Sequence, residues 1–187
     1  DWAEYRRGRY SEKDASETDR ERTTEHEADR EPNWGGGPDW SSKGKMIAYI
    51  HRGETKKIEG AVHSLEMSPA AGGQAKVWTG KLDRNVVQPH WAPDGKSIFA
   101  IIEDDGAEYL ARVPVDGGSL QSVTTGRRKV TAYDASHDGK IIMTTSTPAR
   151  PYAIFAVENH KLRDATTPTE AFMTHLRLDL AGQTKIK

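Results

Sequence analysis

The side chains best suited to hold a metal or move a proton are seven histidines, His26, His51, His63, His90, His137, His160 and His175. They are dispersed, with no His-x-x-x-His pair and no Asp/His cluster at ligand spacing, so each reads as a strand or turn residue. Asp104-Asp105-Gly106 could begin a calcium loop, but the later alternating positions hold Ala107, Tyr109 and Ala111. A hard cation needs oxygen ligands there, and the triplet reads instead as a hairpin turn. An acyl-transfer serine of the nucleophile-elbow type needs small neighbours on both sides, as in Gly-x-Ser-x-Gly. No such string occurs, and Ser119 in Gly117-Gly118-Ser119-Leu120 lacks the second glycine. Arg127-Arg128-Lys129, with Trp78, Trp91 and Tyr133 in neighbouring repeats, has the residue types of a nucleic-acid surface. A net charge of -1 supplies no field to support that use, and a solvated loop is the preferred reading. The expectation is therefore no catalytic residue, no metal ligand and no cofactor site in this chain.

These residues sit in a sequence that repeats. Asp39-Trp40-Ser41-Ser42-Lys43-Gly44-Lys45-Met46-Ile47 aligns with His90-Trp91-Ala92-Pro93-Asp94-Gly95-Lys96-Ser97-Ile98 and with Asp134-Ala135-Ser136-His137-Asp138-Gly139-Lys140-Ile141-Ile142. The Gly-Lys pairs at 44, 95 and 139 recur at close to the propeller-blade period of about 40 to 50 residues. Each Asp-Gly-Lys segment reads as a tight turn, because Asp bonds its own backbone and Gly accepts positive φ without steric cost. The segments that follow, 46–50, 97–102 and 141–145, are short and rich in β-branched or aromatic residues, as strands packed on both faces are. A second hairpin follows in each unit: 109–115 to 120–124 across Asp116-Gly117-Gly118, 64–68 to 75–79 across Ala71-Gly72-Gly73, and 152–157 to 161–166 across Glu158-Asn159-His160. Four strands per unit joined as a meander is a propeller blade, with another all-β array as the alternative.

The first 31 residues differ in kind. Charged residues dominate them, Trp2, Tyr5 and Tyr10 are their only large apolar side chains, and 11–31 shows no apolar stripe of either period. Such a segment buries little and is expected to be a solvated helix, a poorly ordered stretch or an insertion that orders against a partner. Pro32 and Gly35-Gly36-Gly37-Pro38 then break the chain, placing a boundary near residue 33. There is no cysteine, no apolar run near the roughly 18 residues of a membrane span, and no signal-peptide pattern. The start at Asp1 points to truncation or processing. A cytoplasmic location is slightly favoured over a periplasmic or secreted one.

The run Pro89-His90-Trp91-Ala92-Pro93-Asp94-Gly95-Lys96-Ser97-Ile98-Phe99, continued by Val113 to Gly118 and Val123 to Gly126, resembles the blade shared by TolB-like propellers and the propellers of prolyl-oligopeptidase-type serine peptidases. Ser146 to Phe155, Leu162 to Thr166 and Thr169 to Met173 resemble the last blade and exit segment of the acylaminoacyl-peptidase and dipeptidyl-peptidase-like members. The sequence departs from the pattern at Lys43, where the turn usually has Asp, and at Asp134-Ala135, where Trp or Phe usually precedes Ser. The resemblance implies an α/β-hydrolase domain of the same polypeptide as partner and short peptides as substrate. It places none of the family's catalytic Ser, Asp and His in this chain. Dipeptidyl branches hold a substrate's amino terminus with paired glutamates, for which Glu25, Glu27 and Glu31 qualify by composition alone.

The expected architecture is all-β: a charged, poorly ordered segment over 1–33, three blades over 34–80, 81–126 and 127–168, and an exit strand or linker over 169–187. Three blades cannot close a ring, which leaves bare blade faces. The expected function is a non-catalytic propeller segment that gates substrate access to a peptidase, inactive alone. The alternative is a TolB-like propeller that binds a protein partner.

Overall fold

The computed structural model describes residues 36–51 and 62–166. The segment 1–33 and the exit segment 169–187 lie outside the described residues. Among those described, twelve strands form three four-stranded antiparallel sheets, and there is no helix. The first sheet has β1 (Asp39–Trp40), β2 (Met46–His51), β3 (Ser64–Pro69) and β4 (Lys76–Val77). The second has β5 (Val86–Trp91), β6 (Ser97–Asp104), β7 (Ala107–Pro114) and β8 (Gln121–Ser122), and the third has β9 (Lys129–Ala135), β10 (Ile141–Thr147), β11 (Arg150–Glu158) and β12 (Lys161–Asp164). In each sheet the strands lie side by side in chain order, so each is a plain meander, as the repeats predict.

Two local devices recur in all three sheets. The amides of Gly44, Gly95 and Gly139 bond the carbonyls of Ser41, Ala92 and Ser136 at 2.7, 2.8 and 2.8 Å, closing the turn between the first two strands. All three glycines have positive φ, 63°, 65° and 82°, which explains why this position is glycine each time. At the far end of each meander a threonine extends a ladder that is only two to four residues long. Thr79, Thr124 and Thr166 Oγ1 accept from the amides of Leu65, Leu110 and Ile154 at 2.8, 3.3 and 3.1 Å. The hydroxyl stands in for a backbone acceptor where the outermost strand has already turned away.

The sheets pack face to face, and β6 explains how. Its side chains alternate, so Ile98, Ala100 and Ile102 join Ala48, Ile50, Leu65 and Met67 of the first sheet in one core. Phe99 and Ile101 join Val130, Tyr133, Met143 and Phe155 of the third sheet in another. A strand buried on both faces must be apolar at successive positions, which is why 97–102 reads as a continuous run.

The outward faces of the arc are different. Trp40 and Val77 lie on the side of the first sheet turned away from the second, and Ile142, Tyr152 and Ile154 on the side of the third sheet turned away from it. Among the described residues these five are the large apolar side chains left exposed, by 40 to 58%. Phe99→Ala should cost about 3–5 kcal/mol, since it opens a cavity between two sheets. Ile142→Thr should change stability by less than about 0.5 kcal/mol and reduce self-association. Urea denaturation and sedimentation of the two variants check both outcomes.

Candidate functional site

The innermost strands β1, β5 and β9 carry the groups that link one sheet to the next. Asp39 Oδ2 accepts from the Trp91 amide at 2.7 Å and lies 3.4 Å from His90 Nδ1. The His90 ring meets Tyr133 edge-on at 5.7 Å between centroids. The Tyr133 hydroxyl faces the carbonyls of Phe99 at 2.8 Å and Gln88 at 2.5 Å. Burial, reinforced by the Asp39 charge, holds the Tyr133 phenol well above its ordinary range, so it is a hydrogen-bond donor at every physiological pH.

At the centre of this row the backbone is strained. Gln88 has φ 52°, a left-handed conformation in mid-strand. The pairing with β6 slips between Val87 and His90, so Gln88 and the buried Pro89 form a bulge. Proline is tolerated there because an innermost strand is an edge. The Gln88 side chain donates to Thr131 O of β9 at 3.0 Å, and a Cβ at Gly36 would lie 2.6 Å from Gln88 Cα. The neighbouring sheet and the incoming chain thus fix the strained residue from two sides.

At one end of β6 a cavity of 590 Å³ opens among the β4–β5 connection, the β6–β7 hairpin and the start of β9. Its lining is charged, and the charges are paired. Arg84 Nε bonds Asp104 Oδ1, Lys129 Nζ lies 3.5 Å from Glu108 Oε1, and Arg127 Nη1 lies 3.7 Å from Asp105 Oδ2. Asn85 Nδ2 donates to Glu103 Oε2 at 2.9 Å. Burial lifts the Glu108 carboxyl above the usual range, against the pull of Lys129. At the other end of β6, about 25 Å away along an extended strand, a cavity of 470 Å³ lies between the first two sheets and holds Trp78 and Trp91.

The residues singled out in the sequence scatter over this frame. Ser119 is exposed in the connection between β7 and β8. Asp105 and Gly106 form the β6–β7 turn with φ 49° and 71°. Arg127 and Lys129 pair with that hairpin, while Trp78 and Trp91 lie at the opposite end of β6, so the basic and aromatic groups do not share a surface. His51 Nδ1 stands 3.7 Å from Glu66 Oε1, His63 packs at the start of β3, and His137 and His160 are exposed in turns. Among the described residues no three His, Asp or Glu side chains converge as metal ligands. His26, His175, Glu25, Glu27 and Glu31 lie outside the described residues. The Gln88 bulge carries no sequence signal beyond the Gln-Pro pair.

No protein-family model matches the chain, and no curated protein matches it. Solved structures do. An acylaminoacyl peptidase in complex with Z-Gly-Gly-Phe-chloromethyl ketone superposes with TM-score 0.61 at 17% identity over 74% of this chain and 20% of its own. TolB from Acinetobacter baumannii matches with TM-score 0.57 at 19% identity over 70% and 32%. The β-propeller domain of the Trilobed protease from Pyrococcus furiosus, described as having an open velcro topology, matches with TM-score 0.56 at 16% identity over 69% and 38%. The fold is a β-propeller arc. Each four-stranded meander is one blade, β1, β5 and β9 are the inner strands, and the chain spans only a fifth to two fifths of these structures.

Two consequences of the inner row and the charged rim are measurable. Gln88→Gly should be more stable than Gln88→Ala by about 1–2 kcal/mol, since both lose the bond to Thr131 but only alanine keeps the left-handed penalty. Chemical denaturation of the pair tests this. For Glu108 the sign follows from a folded-state pKa above the unfolded one: its contribution to stability is present in full at low pH and is lost as pH rises through the folded value. Glu108→Gln should therefore match the parent at pH 3.5 and gain on it at pH 8, as read from urea midpoints at the two pH values.

Proposed function

We propose that this arc is part of a larger propeller beside an α/β-hydrolase domain, where it restricts access of peptide substrates to a serine peptidase site. The observation that carries the reading is the placement of the exposed apolar residues. All five lie on the two outward blade faces, where further blades would pack. Asp134 supports it: it occupies the position of Asp39 and repeats its local bond, accepting from the next amide, that of Ala135, at 2.8 Å as Asp39 does from Trp40 at 3.0 Å. Asp39 then reaches the following blade, and Asp134 presents the same carboxylate at the open end of the arc. The likeness to the propellers of an acylaminoacyl peptidase and of a protease directs the reading toward peptides.

The second reading, a propeller that recruits a protein partner, is favoured by the comparable likeness to TolB. The two separate in one experiment, in which a fluorophosphonate probe is applied to the 187-residue chain and to the same chain joined to its native flanking polypeptide. The gating reading expects labelling of the longer protein alone, with cleavage of an acylated dipeptide anilide but not of a folded protein. Labelling of the isolated chain overturns it, as does a longer protein with no reactive serine; the latter outcome favours the binding module.

A further inference from the structure

The open face of the first blade is not built like the blade faces that are covered. Ile47, Ile98 and Ile141 each pair with the residue that precedes the first turn of their blade, Trp40, Trp91 and Ala135, so positions counted from them correspond. Two residues further on, the second blade pairs Ala100 with Ala111 and the third pairs Met143 with Phe155. All four are buried in the cores shared with the preceding blade. The matching pair of the first blade is Tyr49 and Glu66. Leu65 and Met67 join the core with the second blade, so by alternation Ser64, Glu66 and Ser68 of β3 lie on the outward face. Their counterparts are Tyr109, Ala111 and Val113 in the second blade and Ala153, Phe155 and Val157 in the third.

Glu66 is the charged centre of this face, and it is half satisfied. The Tyr49 hydroxyl donates to Oε2 at 2.7 Å, while Oε1 has only His51 Nδ1 at 3.7 Å, beyond hydrogen-bond reach. The side chain keeps 11% of its surface open, which leaves a path to the carboxylate. Exposed apolar groups flank it, Val77 directly across the β3–β4 pair and Trp40 beside Ile47. A cover that buries Trp40 and Val77 also takes the last water from Glu66, and a carboxylate closed off without a counter-charge is strongly disfavoured. The cover must therefore bring a positive charge. We propose that the preceding blade of a larger propeller packs on this face and brings an arginine or lysine side chain to Glu66 Oε1. The inference rests on the reading of the chain as an arc of such a propeller, and it adds the chemistry of the missing neighbour.

The test compares the 187-residue chain with the same chain joined to its native flanking polypeptide. Val77→Cys reports cover, since these residues hold no other cysteine. Its thiol should react with a maleimide at least about tenfold more slowly in the longer protein, as located by peptide mass. Glu66→Gln reports the charge, and it is made together with His51→Gln so that no imidazole supplies the cation. Relative to His51→Gln alone, the urea midpoint should fall by about 1 M or more in the longer protein and move little in the isolated chain, because only the longer protein then holds a stranded buried cation. Failure of the longer variant alone to fold counts in the same direction. A midpoint that holds or rises while the thiol is protected overturns the proposal and leaves the propeller reading intact, since a neutral amide is easier to bury than a lone carboxylate. An equal fall in both chains places the role of Glu66 inside the first blade and overturns it too. A thiol equally reactive in both chains removes the covering blade, and with it the reading on which the proposal rests. Protection in the isolated chain, with a dimer mass by sedimentation, assigns the face to a second copy and overturns the preceding blade as its occupant.

Discussion

Everything in this arc depends on β6 being buried from both sides. Side chains of a strand alternate between two faces, so one strand serves two cores only when both alternate sets are apolar, and 97–102 meets that condition. Ile98, Ala100 and Ile102 hold the first blade while Phe99 and Ile101 hold the third. Among the described residues no strand of the first or third blade is apolar and buried over so many successive positions. Each carries exposed apolar residues on its outward face, and β10 shows it in its alternation of buried Ile141, Met143 and Thr145 with exposed Ile142. Apolar residues on an open face are the signature of a surface built for covering.

The inner strands add direction to that stack. Asp39 reaches forward from the first blade to the amide of Trp91, and Gln88 reaches forward from the second to the carbonyl of Thr131. Each bond joins a side chain to backbone, so it fixes the relative height of adjacent blades more firmly than apolar contact does. The left-handed Gln88 is the local cost of this alignment. Its side chain sits in a bulge, where the strand twists enough to aim the amide at the neighbouring blade.

The parts that were legible in the sequence are those set by local chemistry. Positive φ at Gly44, Gly95 and Gly139, the four-strand meander and the apolar run of β6 follow from turn residues and alternation over a few positions. The parts that were not legible are pairings across long separations. Thr79, Thr124 and Thr166 read as strand ends, yet each hydroxyl caps a ladder whose partner lies 12 to 14 residues earlier. The basic run at 127–129 reads as a solvated loop, and Arg127 and Lys129 are exposed; what the sequence does not show is that these two pair with Asp105 and Glu108 of the preceding hairpin. Trp78 and Trp91 come from different blades and meet only because the first and second sheets stack.

The two ends of the arc therefore offer solvent different electrostatics although the chain is close to neutral. At the hairpin end, Arg84, Lys129 and Arg127 are each matched to a carboxylate, so a charged ligand arriving there must displace a pair before it gains one. At the turn end, Lys43, Lys45 and Lys96 line the same cavity as Trp78, Trp91, Met46 and Met67, and its one carboxylate, Asp94, lies 3.8 Å from Arg112 Nη1. Screening by water weakens exposed charges at either end, but it weakens least where an apolar floor excludes water from one side. Net charge is silent about such an arrangement because it sums over both ends. What a ligand meets is the local balance, and the topology separates the two balances by placing the turns between first and second strands at one end of the blades and the β6–β7 and β10–β11 hairpins at the other.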